Sequence, residues 1–251
     1  MSDHLAAEIA ETSNGVEISP YLWRIVTSGQ VYEKLNKLLD NGETAAANGE
    51  FETSYKHSID VAKLAESYAD STELLEPEKE IFITAALLHD IGKDEVPLEI
   101  LTKDKPLSPE ERQQIQTHAV SSWQDCKEIA DSFADDDEKR KMFLMISEIV
   151  LRHHRPGSGE SYPDDEFLKH HLDNDPKAAV FLEAGNRPAT IEEMSNQLSV
   201  IDIFESLRSH RAYREPAEAG EVGKILQAKF PLVNYPKEQK LINFLISKLP
   251  K

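Results

Sequence analysis

Apolar positions recur along this chain at intervals of three and four, the spacing of helix faces, and the alternating pattern of strands is almost absent. Between Gln30 and Leu39, Val31, Leu35, Leu38 and Leu39 fall on one face, and Asn41-Gly42 is a suitable stop. A second helix is predicted over about residues 51–70, with Ile59, Val61, Ala62, Leu64, Ala65 and Tyr68 as its stripe. A third begins near Pro77 and becomes apolar all round before His89, so it is expected at the centre of the fold, with Gly92 as its cap. Ser108-Pro109-Glu110-Glu111 has a capping serine, a first-turn proline and first-turn acids, and predicts a helix to about Phe133. KMFLMISEIVLRHH forms another, ending before Pro156. Residues 156–190 read as a loop with one short helix; further helices cover about 190–209 and 236–248, and a short one docks within 17–28. The fold class is all-α: a helical bundle without internal repeats, with polar residues 1–15 outside it.

Composition narrows the setting. The chain has 251 residues, 39% of them hydrophobic, which is ample for a buried core. No stretch reaches the roughly 20 apolar residues of a bilayer span, and the acidic start lacks the pattern of a signal peptide. Cys126 is the single cysteine, so neither an internal disulfide nor a cysteine-based zinc cluster is available, and a cytoplasmic location is expected. The net charge of −18 disfavours nucleic acid polymers and anionic membranes as partners. A small phosphorylated substrate remains compatible, because metal ions and a few local arginines can hold phosphate on an acidic protein.

The chemistry lies in histidines on apolar faces. His57 shares a face with Val61 and Leu64. His89 and Asp90 end the most buried helix, His118 lies inside the helix begun at Ser108, and His153 and His154 end the helix before Pro156. Asp202 sits between Val200-Ile201 and Ile203-Phe204, where an unpaired carboxylate is costly. Each has an ordinary explanation by itself: a satisfied core histidine, a helix C-terminus that favours cations, a carboxylate paired with Arg208. As a set, five imidazoles and two carboxylates at buried helix faces and ends have a common explanation in a divalent-metal site. In the adjacent His89-Asp90 pair, the histidine serves one ion and the carboxylate can bridge to a second.

HDIGK at residues 89–93, within ALLHDIGKDEVPLEILTKDKPLSPEERQQIQTHA, resembles the HD-GYP family of cyclic di-GMP phosphodiesterases, a branch of the HD superfamily. KHSIDVAKLAESYA, ISEIVLRHH and LSVIDIFESLRSHRAYR resemble further family segments in the same order, so the likeness spans about residues 51–232. The resemblance implies an HD phosphohydrolase domain over 51–251 behind a helical lead segment, 1–50. It implies that His57, His89, Asp90, His118, His153, His154 and Asp202 ligate two divalent ions, iron or manganese. It also implies that Asp90 and Lys93 serve catalysis, and that Lys93, Tyr162, Arg211 and Arg214 contact the substrate, a small cyclic dinucleotide. A signalling protein or a second copy of the chain is the expected partner.

The family loop HHExxDGxGYP reads HHRPGSGESYP at 153–163. Arg155 replaces an acid beside the metal pair, Ser158 an aspartate and Ser161 a glycine, while Gly159, Tyr162 and Pro163 match. The acid that supplies a third metal in some members falls at Thr53, beside Glu52. These departures leave two alternatives: a cyclic-dinucleotide binder that does not hydrolyse, and an HD phosphohydrolase for another nucleotide or phosphoester.

Overall fold

The computed structural model describes residues 20–26, 29–46, 54–156, 161–174, 191–210 and 215–249. Among them are twelve α-helices, one 3-10 turn and no strand, which bears out the all-α expectation. In chain order they are α1 Pro20–Val26, α2 Gly29–Ala46, α3 Ser54–Ala69, α4 Glu76–Leu88, the 3-10 turn Ile91–Glu95, α5 Leu98–Leu101, α6 Pro109–Gln116, α7 His118–Ser132, α8 Asp137–Arg152, α9 Asp165–Asn174, α10 Ile191–Arg208, α11 Ala219–Lys229 and α12 Glu238–Ser247.

α4 is the central element. Pro77 stands in its first turn, and the Glu78 carboxylate accepts from the Leu75 backbone N–H at 3.0 Å, closing the N-terminus. Ile81, Phe82, Ile83, Ala85, Ala86, Leu87 and Leu88 are all buried, so the helix has no solvent face for most of its length. It packs against α3, α8 and α10, and one continuous core runs through these four helices. α1 and α2 add Leu22, Val31, Leu35 and Leu38 to that core; α11 and α12 add Val222, Leu226, Leu241, Ile242 and Leu245. Cys126 is buried within it on α7, and burial pushes its thiol up, away from thiolate chemistry.

Several local expectations are corrected. The helix begun at Ser108 has the expected cap, with Glu111 N–H donating to Ser108 Oγ at 3.2 Å, but it breaks at Thr117 into α6 and α7. There the Thr117 N–H and hydroxyl both turn to the Gln114 carbonyl, at 3.3 and 2.7 Å, tightening the ladder to a three-residue step. α2 continues past Asn41-Gly42 to Ala46, since Asn and Gly lower helix propensity without forbidding helical backbone. The apolar pattern does not predict α11, because its sequence AGEVGKILQAK contains two glycines and buries only Val222 and Leu226.

Gly92 does not cap α4, whose C-cap is His89 in right-handed conformation. It allows a close approach instead. A Cβ on Gly92 would lie 2.4 Å from Ser122 N, 2.6 Å from Ser121 Cβ and 2.7 Å from His118 O, and its own N–H donates to Ser122 Oγ at 2.9 Å. This contact seats the 3-10 turn against α7 and so brings Asp90 to His118. Gly92→Ala is expected to destabilise the protein by roughly 1–3 kcal/mol through overpacking. Gly220→Ala, with nothing within 4 Å of the added carbon, is expected to be neutral or slightly stabilising. Thermal denaturation of the two variants beside the parent checks both signs.

Candidate metal centre

The cluster assembles from helix ends. His57 stands one turn into α3; His89 and Asp90 follow α4; His118 opens α7; His153 and His154 follow α8; Asp202 lies in the middle of α10. All are buried except His154, which is partly exposed. Ring centroids are 5.3 Å apart for His57 and His89, 5.1 Å for His89 and His153, 5.0 Å for His118 and His154, and 3.8 Å for His153 and His154. The structure brings together all seven residues singled out from the sequence.

Hydrogen bonds on the far side of the rings fix what faces inward. Nδ1 of His89 donates to the Ala86 carbonyl at 2.8 Å, that of His118 to Ile115 at 2.6 Å, and that of His153 to Val150 at 2.6 Å. A carbonyl can only accept, so each Nδ1 carries a proton and each ring turns its Nε2 to the centre, where the neutral form offers a lone pair. His89 Nε2, His153 Nε2 and Asp90 Oδ1 are buried there without a hydrogen-bond partner. His118 Nε2 lies 3.1 Å from Asp90 Oδ1 and 3.1 Å from His154 Nε2, and His57 Nε2 lies 3.0 Å from Asp202 Oδ1 and 3.6 Å from Asp90 Oδ2. Acceptors aimed at one another across about 3 Å repel unless a cation lies between them, and unpaired buried polar atoms of this kind call for one.

Three sets of ligand atoms lie within 4.8 Å of one another: His57, His89 and Asp90; Asp90, His118, His153 and His154; and His89, His153 and Asp202. Asp90, His89 and His153 each belong to two of them, and of the three only Asp90 offers two oxygens, as a bridging carboxylate would. The electrostatics suit the same occupants. Burial pushes the Asp90 carboxyl up, but His89, Lys93 and His118 outweigh it and hold it well below the usual range. Burial likewise opposes ionisation of Asp202, and the His57 hydrogen bond and neighbouring imidazoles reverse the balance. His153 is pushed down to about 3 by burial and by His89 and His118, and His154 is pushed down by burial and by His153. Anionic carboxylates and neutral imidazoles are the forms that bind metal.

The HD domain family model matches residues 54–209, which contain all seven residues. The chain belongs to the HD domain family. The chain is similar to two 3'3'-cGAMP-specific phosphodiesterases of Vibrio cholerae. One is 25% identical over 219 residues, 83% of this chain and 36% of the relative; the other is 27% identical over 174 residues, 69% and 33%. A cyclic di-GMP phosphodiesterase of Pseudomonas aeruginosa is 25% identical over 173 residues, 68% of this chain and 34% of its own length. The chain thus spans about a third of the length of these curated relatives. Among the described residues, no helix is long and apolar enough to cross a membrane.

Around the HD-domain cluster, Lys93 Nζ donates to Asp90 Oδ2 at 2.5 Å. The Tyr162 ring lies over His154, centroids 4.4 Å apart, and stands 6.0 Å from that of His118, which places it at the rim. Arg155 differs from expectation. Instead of setting a cation beside the metal ligands, its guanidinium donates to the Pro163 carbonyl at 2.8 Å and to Asp165. It therefore braces the segment that carries Tyr162 against the start of α9, and Tyr162-Pro163 is a cis peptide bond. At the other end of α9, His171 Nε2 is 2.8 Å from Glu148 Oε1, and Arg152 pairs with the same carboxylate. Arg208 lies over the Phe204 ring at 5.2 Å, outside the cluster. Arg211, Arg214, Thr53, Glu52, Ser158 and Gly159 lie outside the described residues.

Glu205 is the site residue that sequence reasoning missed. It is buried on α10, bonded through Oε2 to His57 Nδ1 and through Oε1 to Ser209 Oγ. Its signal was available: a carboxylate one turn beyond Ile201 and Asp202 shares their inward face.

Proposed function

We propose that this chain is a metal-dependent phosphodiesterase that hydrolyses a cyclic dinucleotide, cyclic di-GMP being the favoured substrate. His57, His89, Asp90, His118, His153, His154 and Asp202 would hold two divalent ions, iron or manganese. The observation that carries this reading is the convergence of unpaired buried acceptors from seven residues, with Asp90 in two of the three groupings. The three relatives support the substrate class, since their names specify cyclic dinucleotides. Residues 51–251 form the phosphohydrolase domain in this reading, residues 1–50 a lead segment, and the location is cytoplasmic.

Two bound ions would clamp phosphate oxygens and lower the pKa of a bound water, supplying the nucleophile. The chain's own residues do the rest. Asp90, through its two oxygens, joins the two ligand sets. Lys93, now paired with Asp90, is placed to neutralise charge on the equatorial phosphate oxygens. Tyr162, at the rim over His154, offers a face for a nucleobase. Arg211 and Arg214 are assigned to phosphate because the guanidinium fork donates two hydrogen bonds to one anion.

The deciding experiment incubates manganese- or iron-loaded protein with cyclic di-GMP and, separately, with 3'3'-cGAMP, then separates linear dinucleotide and mononucleotide products. Two of the relatives favour 3'3'-cGAMP as a second reading. Binding of both without turnover would replace hydrolysis by sensing. Arg211→Ala is expected to weaken substrate binding by roughly 1.5–3 kcal/mol, the range for hydrogen bonds to charged groups. Arg208→Ala should leave it unchanged, because that side chain lies over Phe204. Calorimetry on a metal-loaded, inactive variant measures both.

A further inference from the structure

His57 is gripped on both edges by one helix. Asp202 and Glu205 are three residues apart on α10 and so share a face. Asp202 Oδ1 stands 3.0 Å from His57 Nε2, while Glu205 Oε2 accepts a hydrogen bond from His57 Nδ1–H. His89, His118 and His153 differ: their Nδ1 partners are backbone carbonyls three residues earlier. A carbonyl fixes the tautomer, whereas a carboxylate fixes it and also makes the ring a stronger donor at Nε2. Glu205 is itself immobilised, because Ser209 Oγ donates to its Oε1 and the residue is buried. Its oxygens bond to His57 and Ser209, and Glu205 is in none of the three ligand groupings.

We infer that Glu205 is a positioning residue that orients His57 and raises its donor strength, and so sets the affinity of the ion on the His57 side of the centre. The inference rests on the metal-centre reading given above. It separates the two ions. The set containing His57, His89 and Asp90 depends on a charged partner on α10, and the set containing His118, His153 and His154 does not. Glu205→Gln is the sharp probe: the amide oxygen can still accept from Nδ1–H, so shape and tautomer persist and only the charge is lost.

Calorimetric titration of metal-stripped protein with Mn²⁺ tests this. The parent is expected to bind two ions, and Glu205→Gln to bind one of them about 10–100-fold more weakly with the other unchanged. In a His57→Ala background, adding Glu205→Gln should cause no further loss, because the residue it acts through is gone. A merely structural role would instead weaken both ions, or add its loss to that of His57→Ala. Equal Mn²⁺ affinities in Glu205→Gln and parent, a loss shared by both ions, or an undiminished loss in the His57→Ala background overturns the inference while leaving the metal centre intact. Failure of the parent to bind Mn²⁺ overturns the metal-centre reading and the inference with it.

Discussion

Asp90→Ala is expected to reduce hydrolysis by about three orders of magnitude or more and to cost the protein at least one of its ions. Asp90 is in two of the three ligand sets, as are His89 and His153, but of these only the carboxylate has two oxygens with which to serve two ions at once. Its loss therefore weakens both positions together. Metal-based charge stabilisation is worth several kcal/mol of barrier, and each 1.36 kcal/mol is tenfold in rate. Lys93 loses its carboxylate partner as well, and with it the tie that aims its ammonium at the centre. The fold should survive. The Asp90 side chain caps nothing, the Lys93 N–H still reaches the Asp90 carbonyl at 3.0 Å, and α4 remains packed by its apolar residues. Asp90→Asn should be nearly as damaging, since a neutral amide oxygen can serve one ion but holds two poorly. His89→Ala should cost less, because the bridging carboxylate stays. Elemental analysis, far-UV circular dichroism and turnover measured on the same preparations check the ranking. Near-normal turnover in Asp90→Ala, with native helicity, would refute the assignment.

The elements legible in the sequence were those whose pattern is set by burial on one side. α4 was clear because a run from Ile81 to Leu88 has no polar alternative, and α6 because Ser108, Pro109 and Glu111 act within one turn. The seven cluster residues were legible for a related reason: histidines and carboxylates are costly on apolar faces unless something occupies the space between them. What escaped notice depends on contacts between distant segments. The glycine at position 92 is needed by the backbone of Ser122, thirty residues away, and nothing local distinguishes that need from a helix cap. The place of Glu205 one turn beyond Asp202 points it inward, but its role emerges only when His57, 148 residues earlier, is placed against it. Arg155 invited the opposite error. Adjacency to His154 suggested a charge at the metals, but the chain turns after α8 and the side chain reaches Pro163 and Asp165 instead.

Removing the metals should lower the melting temperature, and lower it further in mild acid. An ion present at a hundred times its dissociation constant stabilises the folded state by about 2.7 kcal/mol, so two ions contribute roughly 5 kcal/mol. For a chain of this size each kcal/mol moves the midpoint by about 2–4 °C, which gives an expected drop on the order of 10–20 °C with a chelator. The pH dependence of the stripped protein follows from the cluster. In the folded state His153 is pushed down to about 3, against about 6.5 in the unfolded chain. Above pH 6.5 neither state binds the proton and stability is unaffected. Between 6.5 and 3 the unfolded chain takes up a proton that the folded protein refuses, so stability falls as the pH falls. His154, pushed down by burial and by His153, acts in the same direction. Asp90 and Asp202 have folded values below the usual carboxylate range, so their contribution is complete above about pH 4 and is lost only in stronger acid. Between pH 7.5 and 5, therefore, these two carboxylates contribute little to the slope, to which His153 and His154 both contribute. Protons compete with metal for the same lone pairs, so the loaded protein should release its ions over this range and its melting curve should approach that of the stripped form. Calorimetric melts with and without chelator at half-unit pH steps provide the measurement. A midpoint that ignores the chelator at pH 7.5, or a stripped protein whose midpoint is flat down to pH 5, would show that the buried imidazoles are not poised as lone-pair donors around a common centre.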